Sequence, residues 1–139
     1  MYRFMTSGGD PEAVVRVARN LALAFSKEHN DPKLAYHVLD WAMQRVGTKI
    51  SPTTKAAYDL EAANLFRDWK LNEISQHENN VSHAITIVED ALRTAPPRVA
   101  GEFSAMLPEL YKKKREGGLV FIAACAIGFI FFVGILSIK

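Results

Sequence analysis

Apolar residues recur at helical spacing along most of this chain. Val14, Val17, Ala18, Leu21, Ala22 and Phe25 form one stripe; Leu34, Ala35, Val38, Leu39, Ala42, Met43 and Val46 form the next. Both follow the i, i+3, i+4, i+7 pattern of a helix facing a core. Three helix starts share one device, a capping residue followed by proline: Asp10-Pro11, Asp31-Pro32 and Ser51-Pro52. The side-chain oxygen takes an orphan amide, and proline at the first helical position sacrifices no hydrogen bond. Gly47 closes the second helix. A third, from Ser51, carries Tyr58, Ala62, Leu65, Phe66 and Trp69, and is expected to stop near Gln76. A fourth begins at Asn80 with Val81, Ala84, Ile85, Val88, Ala91 and Leu92, and ends before Ala95-Pro96-Pro97, because a double proline cannot continue it. A fifth runs from about Arg98, with Pro108 kinking or restarting it. No segment alternates with period two, so the predicted class is all-α, without a sheet.

The last pattern differs from these. From Leu119 to Ile138 the chain is LVFIAACAIGFIFFVGILSI, twenty residues without a charge, followed by Lys139. At about 1.5 Å per helical residue this run matches a bilayer's hydrocarbon thickness of roughly 30 Å. It predicts a single C-terminal transmembrane helix, and hence a tail-anchored protein. Within it Ala124 and Gly128 stand four apart, the spacing at which small side chains let a second helix approach. No ionisable side chain lies inside the run, so it offers no proton or ion path. The expected organisation is an N-terminal arm over 1–9, a helical domain over 10–107, a basic juxtamembrane segment over 108–118 joined through Gly117-Gly118, and the anchor over 119–138.

Charge sharpens that picture. The 139 residues carry 17 Lys plus Arg against 15 Asp plus Glu, but residues 1–111 hold 12 basic and 14 acidic, a net −2. The excess is concentrated in Lys112, Lys113, Lys114 and Arg115 at the membrane boundary. Such a cluster has two readings, a positive-inside topology determinant, which is favoured, or a site that also touches anionic headgroups at about 1 kcal/mol per basic residue. It places the helical domain on the cytosolic or matrix-like face. The basic flank argues against a secretory lumen, so the sequon Asn80-Val81-Ser82 reads as a helix cap. No amphipathic basic presequence precedes Asp10.

Catalytic chemistry is not evident. The one cysteine, Cys125, lies in the apolar run, and Gly8-Gly9 lacks the Lys-Ser/Thr of a phosphate loop. His29, His37, His77 and His83 are scattered; His77 and His83 are six apart, which is not one face of a helix, and no further ligand completes a metal shell. Glu89 and Asp90 are adjacent and diverge on a helix. A net-acidic domain without a basic, aromatic-interleaved stripe does not fit nucleic acid. The expectation is a non-enzyme with no cofactor, no metal and no small-molecule substrate. Tyr36, Trp41, Tyr58 and Trp69 are candidates to line a groove or fill the core.

Two segments repeat. NDPKLAYHVLDWAM (30–43) aligns with NNVSHAITIVEDAL (79–92), setting Ala35 over Ala84, Leu39 over Val88 and Ala42 over Ala91, 49 residues apart. This small-large-small spacing is that of the second helix of a tetratricopeptide unit, in which small residues admit the neighbouring helix. The predicted fold is therefore a tetratricopeptide-like bundle followed by one transmembrane helix.

With VSHAITIVEDALRTAPP (81–97) and YKKKREGGLVFIAACAIG (111–128), this architecture resembles the mitochondrial fission-one adaptor family. The resemblance implies a non-enzymatic platform on mitochondria or peroxisomes that contacts partners including dynamin-related GTPases. Family members end in several basic residues after the anchor, whereas only Lys139 follows here. The expectation is accordingly an accessory subunit of a mitochondrial membrane complex of the respiratory chain, whose partners are other protein subunits and the lipid bilayer. The alternative is a free outer-membrane adaptor recruiting a fission GTPase.

Overall fold

The computed structural model describes residues 9–77 and 79–117, and all its regular structure there is helical. Five helices follow one another: α1 (Pro11–Glu28), α2 (Pro32–Val46), α3 (Pro52–Gln76), α4 (Val81–Thr94) and α5 (Pro97–Glu116). No helix among the described residues is long and apolar enough to cross a membrane. The run 119–138, with Ala124 and Gly128, lies outside the described residues, as do residues 1–8 of the arm over 1–9.

The predicted starts are where the capping chemistry puts them. Asp10 accepts from the Glu12 amide at 3.1 Å, Asp31 from Leu34 at 2.9 Å, Ser51 Oγ from Thr54 at 3.2 Å and Asn80 from His83 at 3.0 Å. Each satisfies one amide of a first turn, worth about 1 kcal/mol. Between α1 and α2, Asn30 takes the left-handed conformation at φ 51°, which asparagine tolerates better than most residues. Gly117, φ 65°, ends α5 in that region. Pro108 neither breaks nor restarts α5, which continues to Glu116, so Lys112–Arg115 occupy its final turns.

The chain forms two compact units, Met1–Trp69 and Lys70–Lys139, divided within α3. In the first, α1 packs on α2 and the first part of α3. Its core holds Val14, Val15 and Ala22 of α1, Ala35, Leu39 and Val46 of α2, Ile50, and Ala62 and Leu65 of α3, with Phe25, Tyr36, Met43 and Tyr58 packed against them. Arg19 and Glu61 join α1 to α3 at 2.6 Å, and this bond holds the guanidinium pKa above its ordinary value. In the second unit α4 packs on α5. Ala84, Ile85, Ile87, Val88 and Ala91 are buried on α4, and Val99, Phe103 and Leu110 on α5.

The face of α1 differs from the expected stripe. Val17 is 55% and Leu21 41% exposed, whereas Val15, outside the stripe, is fully buried; Leu34 of α2 is also exposed at 41%. Nine of the twelve positions of α1 from Val14 to Phe25 are apolar, so its periodicity admits neighbouring faces. Packing against α2 and α3 selects the face centred on Val14, Ala18 and Ala22.

Candidate functional site

The four singled-out aromatics do not form one site. Tyr36 on α2 and Trp69 on α3 meet, their ring centroids 5.8 Å apart, and Phe66 stands edge-on to both at 5.2 and 5.6 Å. His37 adds a fourth ring, 5.1 Å from Trp69, and the Lys33 ammonium lies 5.5 Å from the indole centroid. Edge-to-face packing of this kind contributes about 0.5–1.5 kcal/mol per pair beyond burial. Phe66 is buried at 1%, while Tyr36 and Trp69 are half-buried and His37 and Lys33 are exposed. The cluster therefore has a buried base and an open rim carrying a cation and an imidazole.

Burial, aided by the nearby Asp40 carboxylate, raises the Tyr36 phenol pKa above its ordinary value. The Tyr36 hydroxyl is held neutral at physiological pH, a donor and acceptor rather than a phenolate.

Tyr58 and Trp41 belong elsewhere. Tyr58 packs against the core of the first unit. Trp41 is half-buried and carries Arg45, one helical turn on, 4.6 Å from its ring centroid. Their separation follows from α2's geometry: Trp41 is five residues from Tyr36 and so projects from another face. The sequence places Phe66 on the apolar face of the third helix with Trp69 and shows His37 among scattered histidines, but does not join them, or Lys33, to Tyr36 in one site. Their signal was the i, i+3, i+4 spacing of 33, 36 and 37 on one helix, matched by 66 and 69 on another.

The second candidate region lies in the second unit. The end of α5 and the start of α4 border an open surface depression of about 220 Å³, lined by Asn79, Asn80, Val81, Ser82, Lys113, Lys114 and Gly117. The basic residues at the end of α5 complement its C-terminal dipole. Nearby, the Tyr111 hydroxyl donates to Glu89, which raises the phenol pKa above its ordinary value. The neighbouring Asp90 turns away to pair with Lys70 at 3.4 Å and Arg93 at 3.3 Å. Glu89 and Asp90 thus serve different partners, as their adjacency on a helix requires.

Lys70 is the one buried charged residue of the described set, 5% exposed, and it also meets Glu73 at 3.1 Å. The arrangement joins the end of α3 to α4. Among the described residues no three His, Cys, Asp or Glu side chains gather into a metal-binding group. His77 and His83, which their spacing kept apart on any single helix, stand in ring contact.

No protein-family model matches the chain, and no curated protein or solved structure matches it.

Proposed function

We propose that this protein is a non-catalytic, membrane-anchored helical scaffold: an accessory subunit of a mitochondrial membrane complex of the respiratory chain, with a tetratricopeptide-like, fission-one-like helical domain. The observation that carries the reading is the uncharged twenty-residue run Leu119–Ile138, separated from Lys112–Arg115 by Glu116-Gly117-Gly118 alone. An apolar segment of that length is stable in a bilayer, and a basic flank favours retention on the negative-surface side. In this reading Ala124 and Gly128 pack the anchor against a neighbouring transmembrane helix.

Support for the repeat comes from burial. Ala35, Leu39 and Ala42 of α2 and Ala84, Val88 and Ala91 of α4 are all 0% exposed. Both aligned triplets therefore place two small residues around a large one at a closed helix contact, the packing a tetratricopeptide unit needs. The test is native electrophoresis of gently solubilised mitochondrial membranes. The protein is expected to co-migrate with a large complex and to co-purify with its subunits; migration as a small free species sinks the scaffold reading.

The alternative, a free adaptor recruiting a dynamin-related GTPase, is favoured by the open aromatic rim at Tyr36, His37 and Trp69. It predicts altered mitochondrial division on deletion of the protein. Unchanged organelle morphology together with a missing complex assembly decides for the scaffold.

A further inference from the structure

The geometry points to a two-histidine binding site for a divalent cation of the zinc class at the turn between α3 and α4. His77 and His83 are six residues apart, and on one continuous helix they would diverge. Here α3 ends at Gln76 and α4 begins at Val81, so the intervening turn re-aims the chain and brings the two imidazoles together. Their ring centroids are 4.2 Å apart and their planes cross at 70°.

The backbone beneath them is braced. The His77 amide donates to Ile74 O at 3.1 Å, the Asn80 amide to His77 O at 2.9 Å, and the His83 amide to the Asn80 side chain at 3.0 Å. This chain of bonds fixes both histidine backbones, and buried Ile74 and Ala84 hold its ends in the core. The two side chains are exposed and touch each other edge to face, so turning them toward an ion exchanges that ring contact for metal bonds. Zinc–nitrogen bonds of about 2.0–2.1 Å in tetrahedral geometry place two ligand nitrogens about 3.3 Å apart. Two imidazoles on one tetrahedral ion have their ring centroids about 5 Å apart, so the His77 and His83 rings, 4.2 Å apart in edge-to-face contact, must separate by about 1 Å as their side chains turn to aim one nitrogen from each at a common ion.

Imidazole selects borderline cations such as Zn²⁺, Ni²⁺ and Cu²⁺ over Mg²⁺ and Ca²⁺, which prefer oxygen. Because both backbones are braced before the ion arrives, chelation has to order only the two side chains. Two coordination positions remain for water or for a ligand brought by a neighbouring subunit. The site is independent of the scaffold reading and survives its failure.

Calorimetric titration of the tag-free full-length chain in detergent with Zn²⁺, repeated with Ni²⁺ and Mg²⁺, tests the site. One Zn²⁺ per chain is expected, with Mg²⁺ showing no comparable binding. His77→Ala and His83→Ala should each weaken Zn²⁺ binding about tenfold or more, since each leaves one ligand. The double variant His29→Ala/His37→Ala should bind as the parent does. Circular dichroism should show both single variants as helical as the parent, since the replaced side chains are exposed. Absence of binding by the parent overturns the proposal. So does undiminished binding by either single variant, or loss of binding in the His29/His37 pair alone.

Discussion

The two units meet the same requirement, closing helices around a small core, by different means. The first uses rings: Tyr36, Phe66 and Trp69 interlock above a core of Val15, Ala35 and Leu39. The second uses charge: Lys70 is sunk between Glu73 and Asp90, and Tyr111 reaches across to Glu89. Ring packing is indifferent to salt and pH over the physiological range, whereas a buried ammonium depends on keeping its carboxylates. The aligned triplets are buried alike in both, so the difference between the units lies in what surrounds them.

The largest effect is expected at the triplets' centres. Leu39→Ala empties a fully buried site in the first unit and should cost about 3 kcal/mol. Val88→Ala at the equivalent position removes one carbon fewer and should cost about 1 kcal/mol less. Denaturant unfolding measures both. A Val88→Ala cost larger than that of Leu39→Ala breaks the equivalence of the two triplets.

These triplets were legible in the sequence because alanine at i and i+7 around a large residue marks a close helix contact wherever it occurs. The helix starts were legible for a similarly local reason, as each cap and its proline act within one turn. The burial of Val15 in place of Val17 and Leu21 was not, since the apolar residues of α1 spread over more than one stripe and only its neighbours choose between the eligible faces. The aromatic site was half legible: Tyr36 and Trp69 were named, but so were Trp41 and Tyr58, which project elsewhere. Lys70 illustrates the limit, because Glu73 lies one turn away in sequence while Asp90 is twenty residues distant. The contact of His77 with His83 depends on the shape of a turn that residue spacing does not specify.

The charge-based means of the second unit is exposed by a pair of variants. Glu73→Ala combined with Asp90→Ala strips two carboxylates from a buried ammonium and should cost about 2 kcal/mol, less than for a wholly buried pair because both carboxylates are partly solvated. Lys70→Met keeps the stem's packing without the charge and should change stability by less than about 1 kcal/mol. Thermal unfolding compares them. If Lys70→Met proves the more damaging, the ammonium itself holds α3 to α4, and the contrast between the units deepens.

Caps set the next scale down. Asp31→Ala in the first unit and Asn80→Ala in the second each release one amide of a first turn, and each should cost about 1 kcal/mol. Because capping is local, the two costs should match within experimental error despite the difference in surroundings. A markedly larger loss at Asn80 shows that the turn it braces, and with it the histidine pair, contributes to the second unit's stability beyond the cap alone.

The smallest effect appears in alkali, where among the described residues each unit carries one tyrosine with a raised pKa, for different reasons. Tyr36 is raised chiefly by burial and then by Asp40, Tyr111 chiefly by its hydrogen bond to Glu89. In the unfolded chain both phenols ionise near about pH 10. A folded pKa above that value means that the native state holds its proton longer. The stabilisation is complete below the unfolded pKa and is lost as pH rises through the folded one. Stability should therefore fall as pH climbs past about 10, and denaturant unfolding across that range measures the slope. Tyr36→Phe should remove more of the slope than Tyr111→Phe, because Tyr36 is half-buried and Tyr111 is exposed at 41%, where solvent screens its bond to Glu89. Equal slopes would mean that an exposed hydrogen bond to a carboxylate withstands alkali as well as a packed ring does, and the division between a ring-held unit and a charge-held unit would lose its pH signature.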